Sequence, residues 1–135
     1  MDEKTALEAG ENREERERLS LKFQRELNAG LIGLVLLAVL DLAGEDLYGY
    51  QIAKRLQALA DGNPPVKQGA LYPVLRQLSG NGLLASRIVP SYAGPPRRYY
   101  RITGAGRAML MEWRGIWRST RDFVDGFTEA NGASP

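Results

Sequence analysis

The 135-residue sequence predicts a mainly α-helical fold with one small β-hairpin. Three observations support this prediction. Apolar residues recur at helical spacing in several segments, only two short segments alternate as strands do, and clusters of glycine and proline separate the segments. A chain of this length forms one domain, with room for an extra helix at each end.

The first 28 residues form a charged extension that we predict to be partly helical. They contain eight acidic and six basic residues, several of them at helical i, i+4 spacing. We expect residues 1–9 to be loose and residues 11–27 to form a solvated helix, with a disordered arm as the alternative. The apolar residues of this helix recur every four positions, at Leu19, Phe23 and Leu27.

The segment Leu31–Leu42 is apolar on every face, which predicts a buried helix that Asn28 could cap at its start. Its twelve residues are too few to cross a bilayer, which needs about 20. It also lies behind a charged segment, unlike the apolar region of a signal peptide. We therefore expect a soluble, cytoplasmic protein with no membrane partner.

Two amphipathic helices follow. The first covers Tyr48–Ala60, and the residues Asp61–Pro65 end it, because two prolines and a glycine cannot continue a helix. The second covers Gln68–Ser79 and stops at Gly80–Gly82. Pro73 is acceptable there if it lies in or next to the first turn, where backbone donors are unpaired. The predicted inner faces carry Ile52, Leu56 and Leu59 in one helix and Leu71, Val74, Leu75 and Leu78 in the other.

The segments Leu84–Val89 and Arg98–Ile102 alternate as strands do and predict a hairpin. Pro90–Pro96 forms its tip, where the prolines prevent further pairing. Tyr99 and Tyr100 point to opposite faces of their strand, so one of them is expected in the core.

A long helix is predicted from Ala105 to Phe127, with Thr103 as its N-cap and a disordered tail over residues 128–135. Its apolar residues follow a heptad spacing, and a second row widens the stripe. One small domain cannot cover so wide a stripe, so we expect the same helix of a second copy to cover it. The predicted dimerisation residues are Met109, Leu110, Trp113, Ile116, Trp117, Thr120, Phe123, Val124 and Phe127.

This order of elements is that of a winged helix-turn-helix. We assign residues 29–103 to it, residues 104–127 to the dimerisation helix and residues 1–28 to the extension. The stretch from Lys54 to Arg107 has nine basic residues and one acidic residue, a net charge of +8, whereas the whole chain carries +2. Such concentration is typical of a surface that binds nucleic acid.

The composition argues against an enzyme. The chain has no cysteine and no histidine, which excludes disulfides and thiolate metal sites and removes the commonest general base. It has no glycine-rich phosphate loop beside its carboxylates. We therefore predict neither a catalytic site nor a cofactor.

Four stretches of this sequence resemble the PadR family of transcriptional regulators. They are Tyr48–Ile52, Gly69–Leu75, Asn81–Leu84 and Gly94–Thr103, in this order. The resemblance implies the short subfamily, whose members dimerise through a single C-terminal helix and are usually repressors, some of which respond to phenolic acids or flat aromatic drugs.

The sequence departs from the family pattern at three places. Ala70 stands where Ser or Thr is common, and Gly104 follows Thr103 where Glu is usual. The charged N-terminal extension is longer than in short members of the family.

The candidate DNA-binding residues lie on the predicted helix Gln68–Ser79, which we call the third helix, on the hairpin, which forms the wing, and at Lys54. The free amides at the start of the third helix favour a phosphate, Gln68 has the groups that pair with adenine, and Arg76 those that pair with guanine or phosphate. Basic residues at a wing tip suit the minor groove. A solvated basic surface is the alternative. The candidates are Lys54, Lys67, Gln68, Gly69, Ala70, Tyr72, Pro73, Arg76, Arg97 and Arg98.

The sequence thus predicts a homodimeric repressor that binds double-stranded DNA at a pseudo-palindromic operator. Trp113 and Trp117 lie one turn apart, so two copies could bracket a planar aromatic effector; the alternative is that both are dimer core. A winged-helix module that binds protein without DNA affinity is the alternative function.

Overall fold

The computed structural model describes residues 2–59 and 67–132, which form four helices and three strands. The predicted helix stop at Asp61–Pro65 lies outside the described residues. The chain divides into two compact units, Met1–Ile32 and Gly33–Pro135. The elements are α1 (Glu3–Ala43), β1 (Leu47–Tyr48), α2 (Gly49–Leu59), α3 (Gln68–Gly80), β2 (Leu84–Val89), β3 (Arg97–Ile102) and α4 (Gly104–Gly132).

Within the first unit, α1 is one continuous helix, so the expectation of loose residues at 1–9 was wrong. The helix begins early because Asp2 caps it: its carboxylate accepts a hydrogen bond from the Thr5 backbone N–H at 2.8 Å, which lowers the pKa of Asp2. The proposed cap at Asn28 was also wrong, since this residue lies inside α1 and accepts a hydrogen bond from Gln24 Nε2 at 3.0 Å. The stripe of Leu19, Phe23 and Leu27 is exposed, as a solvated helix requires.

The C-terminal part of α1 supplies much of the core of the second unit. Leu36, Leu37, Val39 and Leu40 are buried, but Leu42 is 81% exposed, so the segment is buried on one side and not on every face as expected. The apolar stretch is also longer than twelve residues: an 18-residue window of α1 has a mean hydropathy of 1.9 and is 22% buried, long and apolar enough to cross a membrane. A core helix meets the same criterion, and four residues in the C-terminal part of α1 are buried in the second unit, while most of the window is exposed.

The two amphipathic helices have nearly their predicted limits. Tyr48 belongs to a strand, so α2 starts one residue later, and Leu71, Leu75 and Leu78 of α3 are buried as expected. Pro73 is the sixth residue of α3 and therefore lies in the second turn, next to the first. Gly82 ends the helix with a φ of 76°, a backbone conformation that glycine adopts most easily.

The hairpin is confirmed, and a third strand joins it. The short strand β1 pairs antiparallel with β3, which gives the order β1-β3-β2. Leu47 lies opposite Tyr100 across this pairing, and both are buried. Tyr100 is thus the core tyrosine, and Tyr99 lies on the other face of β3.

The start of α4 is fixed by Thr103, as predicted. Its hydroxyl accepts a hydrogen bond from the Gly106 N–H at 3.0 Å and donates to the carbonyl of Gly82 at 2.7 Å. The helix continues to Gly132, so the prediction of a disordered tail was wrong for residues 128–132; residues 133–135 lie outside the described residues.

The apolar stripe of α4 is divided between the domain and solvent. Leu110 is 6% exposed, so this predicted dimerisation residue belongs to the core of its own protomer. The ring of Trp113 faces Gly33 of α1, where an added Cβ would lie 3.5 Å from it. Met109 and Trp117 are half-buried, and the other large apolar residues of the stripe are exposed: Ile116, Phe123, Val124 and Phe127.

We predict that Gly106→Ala destabilises the domain by about 1–3 kcal/mol, the usual cost of forcing atoms into a packed site. A Cβ at this position would lie 2.1 Å from the carbonyl oxygen of Leu83, a backbone atom that cannot move freely. Gly104→Ala is the matched control, because a Cβ there meets no atom within 4 Å. Urea unfolding measures the stability of both variants. Equal midpoints for the two would contradict the close packing of Gly106 against Leu83.

Candidate nucleic-acid interface

The exposed side of α3 and the wing meet at an open cleft of about 560 Å³. Five of the ten predicted contact residues line it: Gln68, Tyr72, Arg76, Arg97 and Arg98. The other lining residues include Tyr48, Gly49, Tyr50 and Tyr100. A helix and a basic hairpin therefore share one surface.

The start of α3 is open to a partner. Lys67 occupies the N-cap position in an extended conformation, and its side chain makes no capping hydrogen bond. Gly69, Ala70 and Pro73 are exposed, and a Cβ at Gly69 would meet nothing within 4 Å. Among the described residues, the first positions of α3 are thus exposed, and the positive end of its dipole favours an anion there.

Tyr72 of α3 contacts both its own helix, at Gln68, and the start of α2, at Gly49. Its hydroxyl accepts a hydrogen bond from Gln68 Nε2 at 2.7 Å. Its ring lies so close to Gly49 that a Cβ there would be 2.8 Å from both Cε1 and Oη. The absence of a side chain at Gly49 is therefore what allows Tyr72 to occupy this position.

An aromatic ring and a hydroxyl hold the two arginines next to the tip of the wing. The guanidinium of Arg97 lies 4.5 Å from the ring centroid of Tyr48, a cation–π distance. Arg98 Nη1 donates to Ser86 Oγ at 3.0 Å. Lys54, on α2, lies 5.4 Å from the ring centroid of Tyr50 in the same way.

Ion pairs sort the basic residues into two groups. Arg55, Arg87 and Arg107 pair with the carboxylates of Glu45, Asp46 and Asp41, at 3.3, 2.8 and 3.4 Å. Counting these three carboxylates, which precede the basic stretch, lowers its charge from +8 to +5. Within residues 2–59 and 67–132, the basic residues of the stretch without an ion pair are Lys54, Lys67, Arg76, Arg97, Arg98 and Arg101.

Tyr100 lies at the buried side of the cleft. Burial raises the pKa of its hydroxyl above the ordinary value of 10.0, and the nearby positive charges of Arg98 and Arg76 oppose this effect. The hydroxyl is therefore protonated at neutral pH.

No group of three or more possible metal ligands occurs in the part of the chain that the structure describes.

Sequence reasoning missed several residues of this surface. Tyr48, Gly49 and Tyr50 were predicted only as part of the family motif, and Ser86, which accepts a hydrogen bond from Arg98, was not predicted as a site residue. The regular spacing of tyrosines and arginines along β3 could have suggested an aromatic and basic face. The contact between Gly49 and Tyr72 joins α2 and α3, so no local sequence pattern could indicate it.

Comparisons with known proteins agree with this fold. Residues 36–112 match the model of the transcriptional regulator PadR-like family. A PadR family transcriptional regulator from Eggerthella lenta is 32% identical, with a TM-score of 0.73, over 84% of this chain and 96% of that chain.

Two further relatives share parts of the chain. A transcriptional regulator of Mycobacterium tuberculosis is 51% identical over 51 residues, which are 36% of this chain and 45% of that protein. The crystal structure of Bacillus subtilis PadR in complex with operator DNA has a TM-score of 0.55 at 22% identity, over 62% of this chain and 46% of that one. At that identity the likeness concerns the fold.

Proposed function

This chain belongs to the PadR-like family of transcriptional regulators, and we propose that it acts as a homodimeric repressor that binds a pseudo-palindromic DNA operator. The family and the solved relatives are transcriptional regulators and not enzymes. A DNA-binding regulator of this kind works in the cytoplasm, where we place this protein.

The shared cleft is the observation that carries the proposal. Gln68 and Arg76 of α3 and Arg97 and Arg98 of the wing line the same opening, and the three arginines make no ion pair with the described residues. Unpaired cations release counterions when they bind phosphates, whereas cations already paired with carboxylates gain less. Lys54 and Lys67 add charge nearby.

The binding mode follows from the shapes of the two elements. We propose that α3 enters the major groove, where Gln68 and Arg76 reach base edges, and that Arg97 and Arg98 lie in or beside the minor groove. The operator DNA bound to the Bacillus subtilis relative supports a fold of this kind acting on a duplex. Two copies would then contact half-sites about one helical turn apart.

The exposed part of the α4 stripe supports the homodimer. Phe123 and Phe127 are 66% and 64% exposed and contact each other edge to face at 5.1 Å. Ile116 and Val124 extend this surface. Monomeric proteins rarely leave contiguous apolar surface of this kind in water, and a second α4 of the same heptad spacing fits it.

We propose a small planar aromatic effector as the signal that releases the operator. Trp113 and Trp117 are half-buried one turn apart, and a shallow trough beside Trp113 is lined by Ile116 and Thr120. Two such troughs facing each other in a dimer would bracket a flat ring. A ligand that prefers a different spacing of the two wings would shift the dimer from its DNA-bound state.

Removing the wing arginines is expected to weaken binding to all duplexes similarly. With about five phosphate contacts per protomer, log K should fall with log salt at a slope of about −4 to −5 per protomer, and Arg97→Ala/Arg98→Ala should make that slope shallower by about 2. Fluorescence anisotropy at several salt concentrations measures this. The control Lys22→Ala/Arg25→Ala removes the same charge from the N-terminal extension. An unchanged affinity in the wing variant would exclude the wing from the interface.

A charged residue in the exposed stripe is expected to separate the dimer. Phe123→Asp buries a carboxylate in the proposed interface, so the dissociation constant should rise at least tenfold. Sedimentation velocity over a concentration series measures it, and Met111→Asp, on an exposed position outside the stripe, is the control. A wild type that sediments as a monomer would refute the homodimer.

The tryptophans are expected to report an effector. Planar aromatic dyes should quench the fluorescence of Trp113 and Trp117 with saturation, because stacking places the dye against the indole rings. Trp117→Leu should remove part of this saturable quenching. Purely linear, collisional quenching across a broad panel of dyes would argue against a ligand pocket.

A further inference from the structure

We propose that Tyr72 is a positioning residue that fixes the Gln68 amide, so that Gln68 reads one adenine in each half-site. This inference rests on the proposed function and adds the residue that sets specificity. Gly49 forms the third part of the arrangement, because it determines where the ring of Tyr72 can lie. One hydrogen bond and one close approach produce this arrangement.

The hydrogen bond to Tyr72 holds the Gln68 side chain but leaves the groups that would contact adenine available. Gln68 Nε2 has two hydrogens, and the one directed at Tyr72 Oη, at 2.7 Å, occupies a single donor position. The second hydrogen and the carbonyl oxygen Oε1 remain. These are the donor and the acceptor that pair with N7 and N6 of adenine in the major groove. Within the described residues, Gln68 makes no other side-chain hydrogen bond.

The close approach holds Tyr72 itself. Its ring packs on the backbone of Gly49 at the start of α2, where any larger residue would collide with Cε1 and Oη. Gly49 is buried and Tyr72 is half-buried, so the hydroxyl has a fixed place beside α3. A long, flexible glutamine normally loses rotamer freedom on binding. Anchoring it beforehand reduces that cost and favours one orientation of the amide.

A role of this kind differs from a phosphate contact in its consequences. A tyrosine hydroxyl that only binds a phosphate would strengthen binding to every duplex equally. A tyrosine that orients Gln68 alters the preference between base pairs at one position. The two roles can therefore be separated by measuring specificity together with affinity.

The experiment begins with the wild-type chain and a pool of random 30-base-pair duplexes, from which the preferred sequence is selected. Competition binding then gives the affinity for that duplex and for its single base-pair variants. The same set is measured for Gln68→Ala, Tyr72→Phe and the double variant. Tyr99→Phe is the matched control. It also removes a tyrosine hydroxyl and keeps the ring, but on the face of β3 opposite to Tyr100, which lines the cleft.

We expect the wild type to prefer adenine at one position of each half-site by about tenfold, a common value for two-point pairing with a base. Gln68→Ala should abolish the preference at that position, and Tyr72→Phe should reduce it to about twofold while leaving the other positions unchanged. Tyr72→Phe should have no further effect on this preference in the Gln68→Ala background. Tyr99→Phe should retain the wild-type preference.

Gly49→Ala provides an independent second variant. It leaves Gln68 and the Tyr72 hydroxyl in the chain but displaces the ring, so it should reduce the preference at the same position. Circular dichroism melting shows whether each variant is folded before binding is measured.

The outcomes distinguish the two proposals. If the wild type selects no sequence, the proposed function fails and this inference fails with it. If it selects a sequence but Tyr72→Phe weakens all duplexes equally, or changes a position that Gln68→Ala does not, the positioning role is refuted while the proposed function stands.

Discussion

The antiparallel pairing of β1 with β3 is the constraint on which the interface depends. Leu47 and Tyr100 lie opposite each other in this pairing, and both are buried. The strand β1 leads directly into α2, whose first residue, Gly49, supports Tyr72 of α3. The strand β3 begins with Arg97 and Arg98. One short pairing therefore fixes the wing arginines beside the exposed side of α3, and the cleft exists because of it.

Electrostatics then determine which cations remain available in the cleft. Three carboxylates at the end of α1 and in the following loop pair with Arg55, Arg87 and Arg107. Exposed pairs of this kind contribute about 0–1 kcal/mol to stability, so their main effect is on the distribution of charge. Arg97 contacts the ring of Tyr48 and Arg98 the hydroxyl of Ser86, and these contacts orient both arginines without neutralising them. The surface combines oriented side chains with positive charge that no carboxylate of the described residues neutralises.

The sequence predicted α2, α3 and the hairpin nearly to the residue, because each has a clear period and is bounded by glycine or proline. It could not predict β1, since two residues are too short to show an alternation and the pairing partner lies some fifty positions away. The helix start predicted at Asn28 does not occur. The prediction was wrong because a polar residue inside a helix resembles a cap in sequence, and only the hydrogen bond with Gln24 shows the real role of Asn28. The end of α4 was placed too early: its apolar stripe ends at Phe127, but the helix continues to Gly132. Five residues that line the cleft were predicted from charge and family resemblance. The contact of Gly49 with Tyr72 and the burial of Leu110 could be seen only in three dimensions.

The central claim is that α3 and the wing engage one duplex from the same side. The chain has no cysteine, so single cysteines introduced at the exposed positions Gln77 and Tyr92 can each carry an iron chelate that cleaves nearby DNA. Cleavage is mapped on the duplex that the wild type selects. The account predicts that both chelates cut within one half-site, in adjacent grooves about five base pairs apart. Cleavage by only one of them, or cuts on opposite sides of the duplex, would contradict it.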